Sequence, residues 1–172
     1  MSPADPGSDT DVARALAREL MAAVNAGDGD RLRAVYSPDV RIWHTFDGLE
    51  QTREENVRTL LWMFANIGGV RYEDVRVSAT EDGFVAQFVM RADTPAFEAP
   101  CMVRAWCAGG RITRLEEYVD SAHTRPLTDH IASIRAAAST RAAASTRDAS
   151  TPAASTPAAS VRDARGQRAP AG

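Results

Sequence analysis

The chain has 172 residues, of which 44% are hydrophobic and 25% charged, enough for one domain with a buried core. Its formal net charge is −3, but 21 of the 23 acidic residues and only 14 of the 20 arginines precede residue 131. An acidic domain is a poor nucleic-acid binder, because phosphate contacts dominate that affinity, and the absence of lysine from the sequence excludes Schiff-base chemistry. No signal peptide is visible, and the longest dense apolar run (60–65) is too short to cross a bilayer. We therefore expect a cytoplasmic protein that binds neither nucleic acid nor a membrane.

Two cysteines, Cys101 and Cys107, fall in one predicted strand. Six residues of strand place them roughly 20 Å apart, which is too far for a disulfide within the chain. Neither has a second pair of ligands nearby, so no zinc site is predicted. Two free cysteines fit a reducing compartment.

Residues 1–9 are rich in Pro, Ser, Asp and Gly, and are expected to be disordered. A first helix follows and ends at Gly27, and a shorter one is capped by Asp28 or Asp30. The apolar residues of the first helix recur at helical spacing. They are Val12, Leu16, Leu20 and Val24.

A short strand comes after Pro38, because the residue before a proline avoids the helical conformation. Ile42 and His44 share one face of this strand. Thr52 and Glu55 then form a capping box that begins a long amphipathic helix. The strand thus carries an imidazole into an otherwise apolar part of the chain.

Four strand-like runs complete the domain, joined by turns at 81–83 and 109–110. Helices followed by strands with tight turns predict an α+β domain with an antiparallel sheet over residues 10–130. Residues 131–172 are a low-complexity Ala, Ser, Thr, Arg and Pro tail without an apolar stripe, and are expected to be disordered. The strand-like runs are 70–79, 84–92, 99–107 and 111–120.

Short motifs recur along this order of elements. They are Ala26-Gly27-Asp28, Leu32, Val35-Tyr36, Pro38-Asp39-Val40, Gly110-Arg111-Ile112 and Glu116-Glu117-Tyr118-Val119-Asp120. With these motifs, the order of the elements resembles the nuclear-transport-factor-2-like superfamily and, within it, the SnoaL-like proteins. The resemblance covers residues 10–125 and implies a cone in which a curved sheet wraps three N-terminal helices around a pocket. The superfamily includes ketosteroid isomerase, limonene-epoxide hydrolase, polyketide cyclases and non-catalytic binding modules, so the fold alone does not assign a function.

The resemblance places His44 where ketosteroid isomerase-like enzymes have a general-base aspartate. The positions that match their oxyanion donors are Leu20 and Met102, which cannot donate a hydrogen bond. Steroid isomerase chemistry by that mechanism is therefore not expected.

Epoxide hydrolase-like members use an Arg and an Asp on the second strand of the meander and an Asp on the last strand. The matching positions here are Val89, Arg91 and Glu117. Only one carboxylate remains, so the resemblance also argues against epoxide opening by that mechanism.

Strand alternation together with the resemblance predicts which residues face the pocket. The opposite face of the second meander strand would then be an apolar outer surface, formed by Phe84, Ala86, Phe88 and Met90. Such a surface needs a cover, so a homodimer is expected. The predicted ligand-binding residues are Ile42, Gln87, Val89, Arg91, Met102, Arg104, Trp106 and Leu115.

His44 and Glu117 are the predicted catalytic residues. A histidine titrates near neutral pH and suits proton transfer, and a carboxylate can orient it. The alternatives are a neutral His44 that contacts a ligand, or one bonded to the backbone, Tyr36 or Asp47. Glu117 could instead form a structural ion pair with Arg91 or Arg104, or could face solvent. We find no phosphate-binding loop and no metal-ligand spacing, and expect neither cofactor nor metal.

Three functions remain open. The first is a SnoaL-like protein that binds a small apolar ligand with a polar handle. The second is a cofactor-independent isomerase, cyclase or dehydratase (lyase) with His44 as general base, acting on a polyketide- or terpenoid-like substrate. The third is a dimerisation module whose tail recruits a partner.

Overall fold

The computed structural model describes residues 8–149, with side chains described from 9 to 142. Over this range the chain forms four helices and six strands. Of the described residues, those up to Ile134 belong to one compact unit and those from Arg135 to Ala149 belong to a second. The helices are α1 (Ser8–Ala26), α2 (Gly29–Val35), α3 (Arg53–Asn66) and α4 (Ser121–Ala149). The strands are β1 (Tyr36–His44), β2 (Glu50–Thr52), β3 (Arg71–Thr80), β4 (Gly83–Asp93), β5 (Ala96–Ala108) and β6 (Arg111–Val119).

Local sequence signals explain the ends of the helices. Gly27 follows α1 with a φ of 60°, a left-handed conformation that glycine adopts without a steric penalty. Asp28 caps α2 by accepting hydrogen bonds from two backbone N–H groups. Thr52 and Glu55 form the predicted capping box of α3, in which each side chain bonds the backbone of the other residue.

The strands form one sheet in the order β2-β1-β6-β5-β4-β3. All neighbouring pairs are antiparallel except β1 and β6, which run parallel. The sheet is therefore mixed rather than antiparallel throughout, and β2 was not predicted. Its curved α+β arrangement agrees with the predicted fold class, with β2 and β3 as the edges of the described sheet.

The core lies between the inner face of the sheet and the N-terminal helices. Small side chains that are fully buried on both layers, such as Ala17, Ala23, Ala86 and Ala105, bring the helices close to the strands. The large members Phe84, Leu32, Ile42 and Ile112 fill the remaining space.

This packing reverses the predicted faces of β4 and β5. Phe84, Ala86, Phe88 and Met90 are buried core residues, not an apolar outer surface. On β5 the buried positions are Ala99, Cys101, Val103 and Ala105, and the intervening residues face outward. The physical reason is that the helices lie close to the sheet. Only the face of β5 with short side chains fits against them, so the face with the longer side chains points outward.

Helix α4 continues to Ala149, so the predicted disorder does not hold for residues 131–149. Alanine has the highest helix propensity, and the run 136–144 is dominated by it. The predicted disorder of 150–172 and of 1–7 concerns residues outside the described part of the chain, whereas Ser8 and Asp9 already belong to α1.

Candidate active site

A small internal cavity lies between α1, α3 and the inner face of the sheet. Its volume is about 40 Å³. Most of the lining is apolar, with His44, Glu117, Asn56 and two tyrosines as polar members. The full lining comprises Leu20, Met21, Val24, Tyr36, Ile42, His44, Asn56, Leu60, Tyr72, Phe88, Val103, Leu115 and Glu117.

His44 and Glu117 meet in this cavity. They are directly paired in the parallel register of β1 and β6, which sends both side chains to the same face of the sheet. His44 Nε2 lies 3.7 Å from Glu117 Oε2, and the two side chains are only 10% and 14% exposed. The distance is longer than a good hydrogen bond, and the two groups form an ion pair only when the imidazole is protonated and the carboxyl group is ionised.

Burial shifts both groups toward their neutral forms. It lowers the pKa of His44, an effect that the nearby negative charge of Asp47 partly offsets. Burial also raises the pKa of Glu117 to about 7, with a further contribution from Asp47. A carboxyl group with a pKa of about 7 therefore lies beside an imidazole whose neutral, proton-accepting form is favoured, an arrangement suited to general acid–base chemistry.

The second ring nitrogen of His44 is also available. Nδ1 is buried and finds no hydrogen-bond partner among the described residues. The expected bonds from His44 to the backbone, Tyr36 or Asp47 are therefore not formed by this atom. Buried polar atoms are normally paired, so an unpaired imidazole nitrogen is a natural contact for a ligand.

A chain of polar side chains forms another part of the wall. Tyr36 donates a hydrogen bond to Asn56 Oδ1 at 3.4 Å, and Asn56 Nδ2 donates to Gln51 Oε1 at 3.1 Å. Burial and the charge of Glu117 raise the pKa of both Tyr36 and Tyr72. Both phenols are therefore neutral near physiological pH and able to donate a hydrogen bond.

Four predicted site residues line the cavity: Ile42, His44, Leu115 and Glu117. Glu117 faces the interior, and its nearest ionisable partner is His44 rather than a predicted arginine. The predicted convergence of His44 and Glu117 is thus observed in the geometry, while their catalytic role stays a prediction.

Six other predicted ligand-binding residues do not line this cavity, because the parity of β4 and β5 was assigned to the wrong face. Arg91 forms ion pairs with Glu73, Asp74 and Glu98. Arg104 pairs with Asp82 and lies over the ring of Trp106, 4.3 Å from its centroid. The six residues are Gln87, Val89, Arg91, Met102, Arg104 and Trp106.

Several lining residues escaped the sequence analysis. Asn56 precedes Leu60 by four positions, so both residues lie on the same face of α3. This spacing could have identified Asn56 as a polar residue on the buried face of the helix. Tyr72 was harder to find, because β3 contains an irregularity between Glu73 and Arg76 that changes the facing of the strand.

The described residues contain no group of three or more His, Cys, Asp or Glu side chains that could hold a metal ion. Both cysteines are free, and Cys101 is buried. None of the described helices is long and apolar enough to cross a membrane.

An α+β fold with an internal cavity under a curved sheet defines a class of ligand-binding and catalytic domains. Residues 17–115 match the family model of the SnoaL-like domain, and the chain therefore belongs to this family. The predicted resemblance is confirmed. Comparison with functionally curated proteins gives no significant match.

Solved structures show the same fold. A candidate polyketide cyclase from Xanthomonas campestris pv. campestris is 22% identical, with a TM-score of 0.59 over 66% of this chain and 93% of the other. IdmH, a candidate polyketide cyclase from Streptomyces antibioticus, is 20% identical, with a TM-score of 0.58 over 64% and 94%. A candidate ketosteroid isomerase from Kribbella flavida is 19% identical, with a TM-score of 0.58 over 65% and 80%.

Proposed function

We propose that this protein binds a small, mainly apolar molecule with one polar group in its internal cavity, and that His44 moves a proton on that molecule. The observation that carries the proposal is the buried pair of His44 Nε2 and Glu117 Oε2, 3.7 Å apart in a mainly apolar cavity. Pairs of titratable groups with environment-shifted pKa values are a common feature of acid–base sites.

The chemistry needs no cofactor. A ring nitrogen of His44 accepts a proton from a carbon of the ligand, and the resulting imidazolium is stabilised by the carboxylate form of Glu117. Return of the same proton to another carbon of the ligand completes an isomerisation. Its transfer to the alkoxide formed when the carbanion closes a ring on a carbonyl completes a cyclisation, and its transfer to a departing hydroxide, which leaves as water, completes a dehydration. Each outcome conserves the atoms of the ligand or releases only a leaving group.

The ligand class follows from the lining. Apolar side chains surround few polar groups, which suits a polyketide- or terpenoid-like molecule rather than a sugar or a nucleotide. Two of the structural neighbours are candidate polyketide cyclases, in agreement with this choice.

Binding without catalysis is the second candidate function. It is favoured by the unpaired Nδ1 of His44, which can hold the polar group of a ligand without moving a proton. The third hypothesis, a module with a partner-recruiting tail, rests on residues that lie largely outside the described part of the chain. The free cysteines suit work in the cytoplasm.

We also propose that the protein forms a homodimer, through a different surface from the one first expected. The face of β4 first expected to be the interface is core, and the outer face of the sheet carries an open groove of about 620 Å³. Val89, Met102 and Tyr118 are apolar or aromatic members of its lining. A second copy of the chain against this groove would remove them from water.

Proton abstraction from 5-nitrobenzisoxazole tests the role of His44 without knowledge of the natural ligand. Removal of its C–H proton breaks the N–O bond and releases a coloured cyanophenolate, so the base alone is required. We expect turnover in the wild type, loss of about a hundredfold or more in His44→Ala, and no loss in His123→Ala, since general bases contribute on that scale. Equal rates in all three proteins would refute catalysis and leave the binding function.

A further inference from the structure

The cavity around His44 is too small for the ligand class that the site suggests. Its volume is about 40 Å³, whereas sites for drug-sized ligands span roughly 300–1,000 Å³. A ligand can therefore reach His44 only if part of the wall moves.

Most of the wall belongs to regular structure. Ile42 lies in the central part of the sheet, paired on both sides, and Ala17 and Ala23 hold α1 against the core with no exposed surface. Displacing any of these breaks backbone pairing or core packing. The segment next to His44 that belongs to no helix or strand is Thr45–Leu49, here called the His44 loop. It does not line the cavity, but the ring of its Phe46 lies beside the ring of His44.

The His44 loop is attached at its ends. Thr45 N donates to Glu117 O at 2.9 Å, and Thr45 Oγ1 exchanges hydrogen bonds with the backbone of Val119. At the other end Gly48 N donates to His44 O at 3.0 Å, and Gly48 has a φ of 67°. Phe46 thus lies in a turn between two anchored points.

Phe46 lies between a second cavity and the ring of His44, and that ring lines the small cavity. Its ring centroid is 5.5 Å from that of His44, although the residue is 44% exposed. On another side it lines an open cavity of about 580 Å³, whose remaining walls are polar side chains at the start of α4. These are Ser121, Thr124, Arg125, Thr128 and Asp129.

We infer that Phe46 is a gate residue that separates two parts of one ligand site. When its ring turns away from His44, the inner cavity and the outer cavity beside α4 become continuous. The apolar part of the ligand then reaches His44, while its polar end stays among Thr124, Arg125 and Thr128. The site therefore takes elongated molecules with one polar end, and Phe46 determines which of them have access to His44.

The identity of the ligand in this inference rests on the proposed function, but the gate itself does not. Diethyl pyrocarbonate acylates neutral imidazole, and the lowered pKa of His44 keeps that side chain neutral. Slow modification of His44 therefore reports restricted access rather than protonation. His123 is half-exposed and serves as the reference within the same molecule.

The experiment compares the modification rates of His44 and His123 by peptide mass spectrometry in the full-length chain. We expect slow reaction of His44 in the wild type and a rise of about tenfold or more in the His44/His123 ratio for Phe46→Ala, because local opening controls access to buried groups. The matched control is Leu49→Ala, which truncates a 60% exposed apolar residue of the same loop. It should leave the ratio unchanged.

Phe46→Trp provides the opposite change and guards against a misfolded alanine variant. A larger ring should lower the ratio below the wild-type value. An unchanged ratio in both Phe46 variants, or an equal rise in Leu49→Ala, would overturn the gate. If Phe46→Ala exposes His44 while His44→Ala retains full turnover of 5-nitrobenzisoxazole, the gate stands and the catalytic proposal fails.

Discussion

His44 and Glu117 are direct partners in the parallel register of β1 and β6, and their side chains meet 3.7 Å apart inside the domain. The two residues are far apart in the sequence and come together only because β6 returns alongside β1. An imidazole and a carboxyl group are thereby held side by side with little exposure to water. The pair determines how stability and activity should respond to pH.

Glu117→Gln should stabilise the protein in a pH-dependent manner. The pKa of Glu117 is about 7 in the folded protein, against an ordinary value of 4.5. Between these values the folded state keeps a proton that the unfolded state has released, so wild-type stability falls as pH rises through this window. Relative to the wild type, the variant should gain about 3 kcal/mol in free energy of unfolding across the window, measured by urea titration.

Glu116→Gln is the control for this prediction. The pKa of Glu116 is lowered by a hydrogen bond from Tyr118 and by Arg114, so its stabilising effect is lost only at more acidic pH. This variant should show no gain over the same window. A difference between Glu117→Gln and the wild type that does not change with pH would contradict the buried, protonated carboxyl group.

Asp47→Asn should move the pH dependence of proton abstraction. The charge of Asp47 raises the pKa of His44, so its removal lowers that pKa further and extends base activity to lower pH. Asparagine keeps the side-chain oxygen that accepts the bond from Leu49 N, so the loop should be preserved. The acidic limb of the rate profile with 5-nitrobenzisoxazole is the measurement. Asp39→Asn, an exposed change on β1, the strand of His44, should leave the limb in place, and an equal shift in both variants would contradict the role of Asp47.

Phe88→Ala and Val89→Ala form a matched pair that tests the facing of β4. Phe88 is buried and stacks on Tyr72 with ring centroids 4.6 Å apart, so its truncation should cost about 3–5 kcal/mol of unfolding free energy. Val89 lies on the outer face, and its truncation should cost less than about 1 kcal/mol. Denaturant melts of the two variants give the comparison. The opposite order of stability would restore the facing first predicted from the sequence.

Met102→Glu should dissociate the proposed homodimer. Met102 lines the outer groove of the sheet, and a carboxylate there would be desolvated against a second copy. Light scattering coupled to size-exclusion chromatography should give a dimer for the wild type and a monomer for the variant. Ala65→Glu, an exposed change on α3, should leave the dimer intact. A wild-type monomer at all concentrations would remove dimerisation from the proposal.

Local signals in the sequence were sufficient for most of the secondary structure. Asp28, Thr52 and Glu55 act at the helix starts as their chemistry predicts, and the glycine turns join the strands as expected. Caps and turns depend on groups only a few residues apart, so they can be recognised without the fold. The strand that carries His44 also follows from its neighbours, whereas the inward direction of His44 was predicted from the family resemblance.

The pairing of the strands was harder to predict from the sequence. The parallel contact of β1 with β6 and the short strand β2 depend on the path of the whole chain. The bulge in β3, where Asp74 has a φ of 56°, changes facing without a glycine to mark it. For this reason the sequence analysis did not predict that Tyr72 lines the cavity.

The sequence by itself determined the family, the order of the elements and the two residues at the centre of the candidate site, because family motifs and helix and strand periodicities are local properties. Only the tertiary structure decided which face of β4 and β5 meets the helices. Both faces of β4 carry apolar side chains, so alternation alone does not choose between them. Packing decides which face is buried. The short side chains of Ala86 and Ala105 allow a helix to lie close to the sheet, whereas the long side chains of Met102 and Trp106 do not.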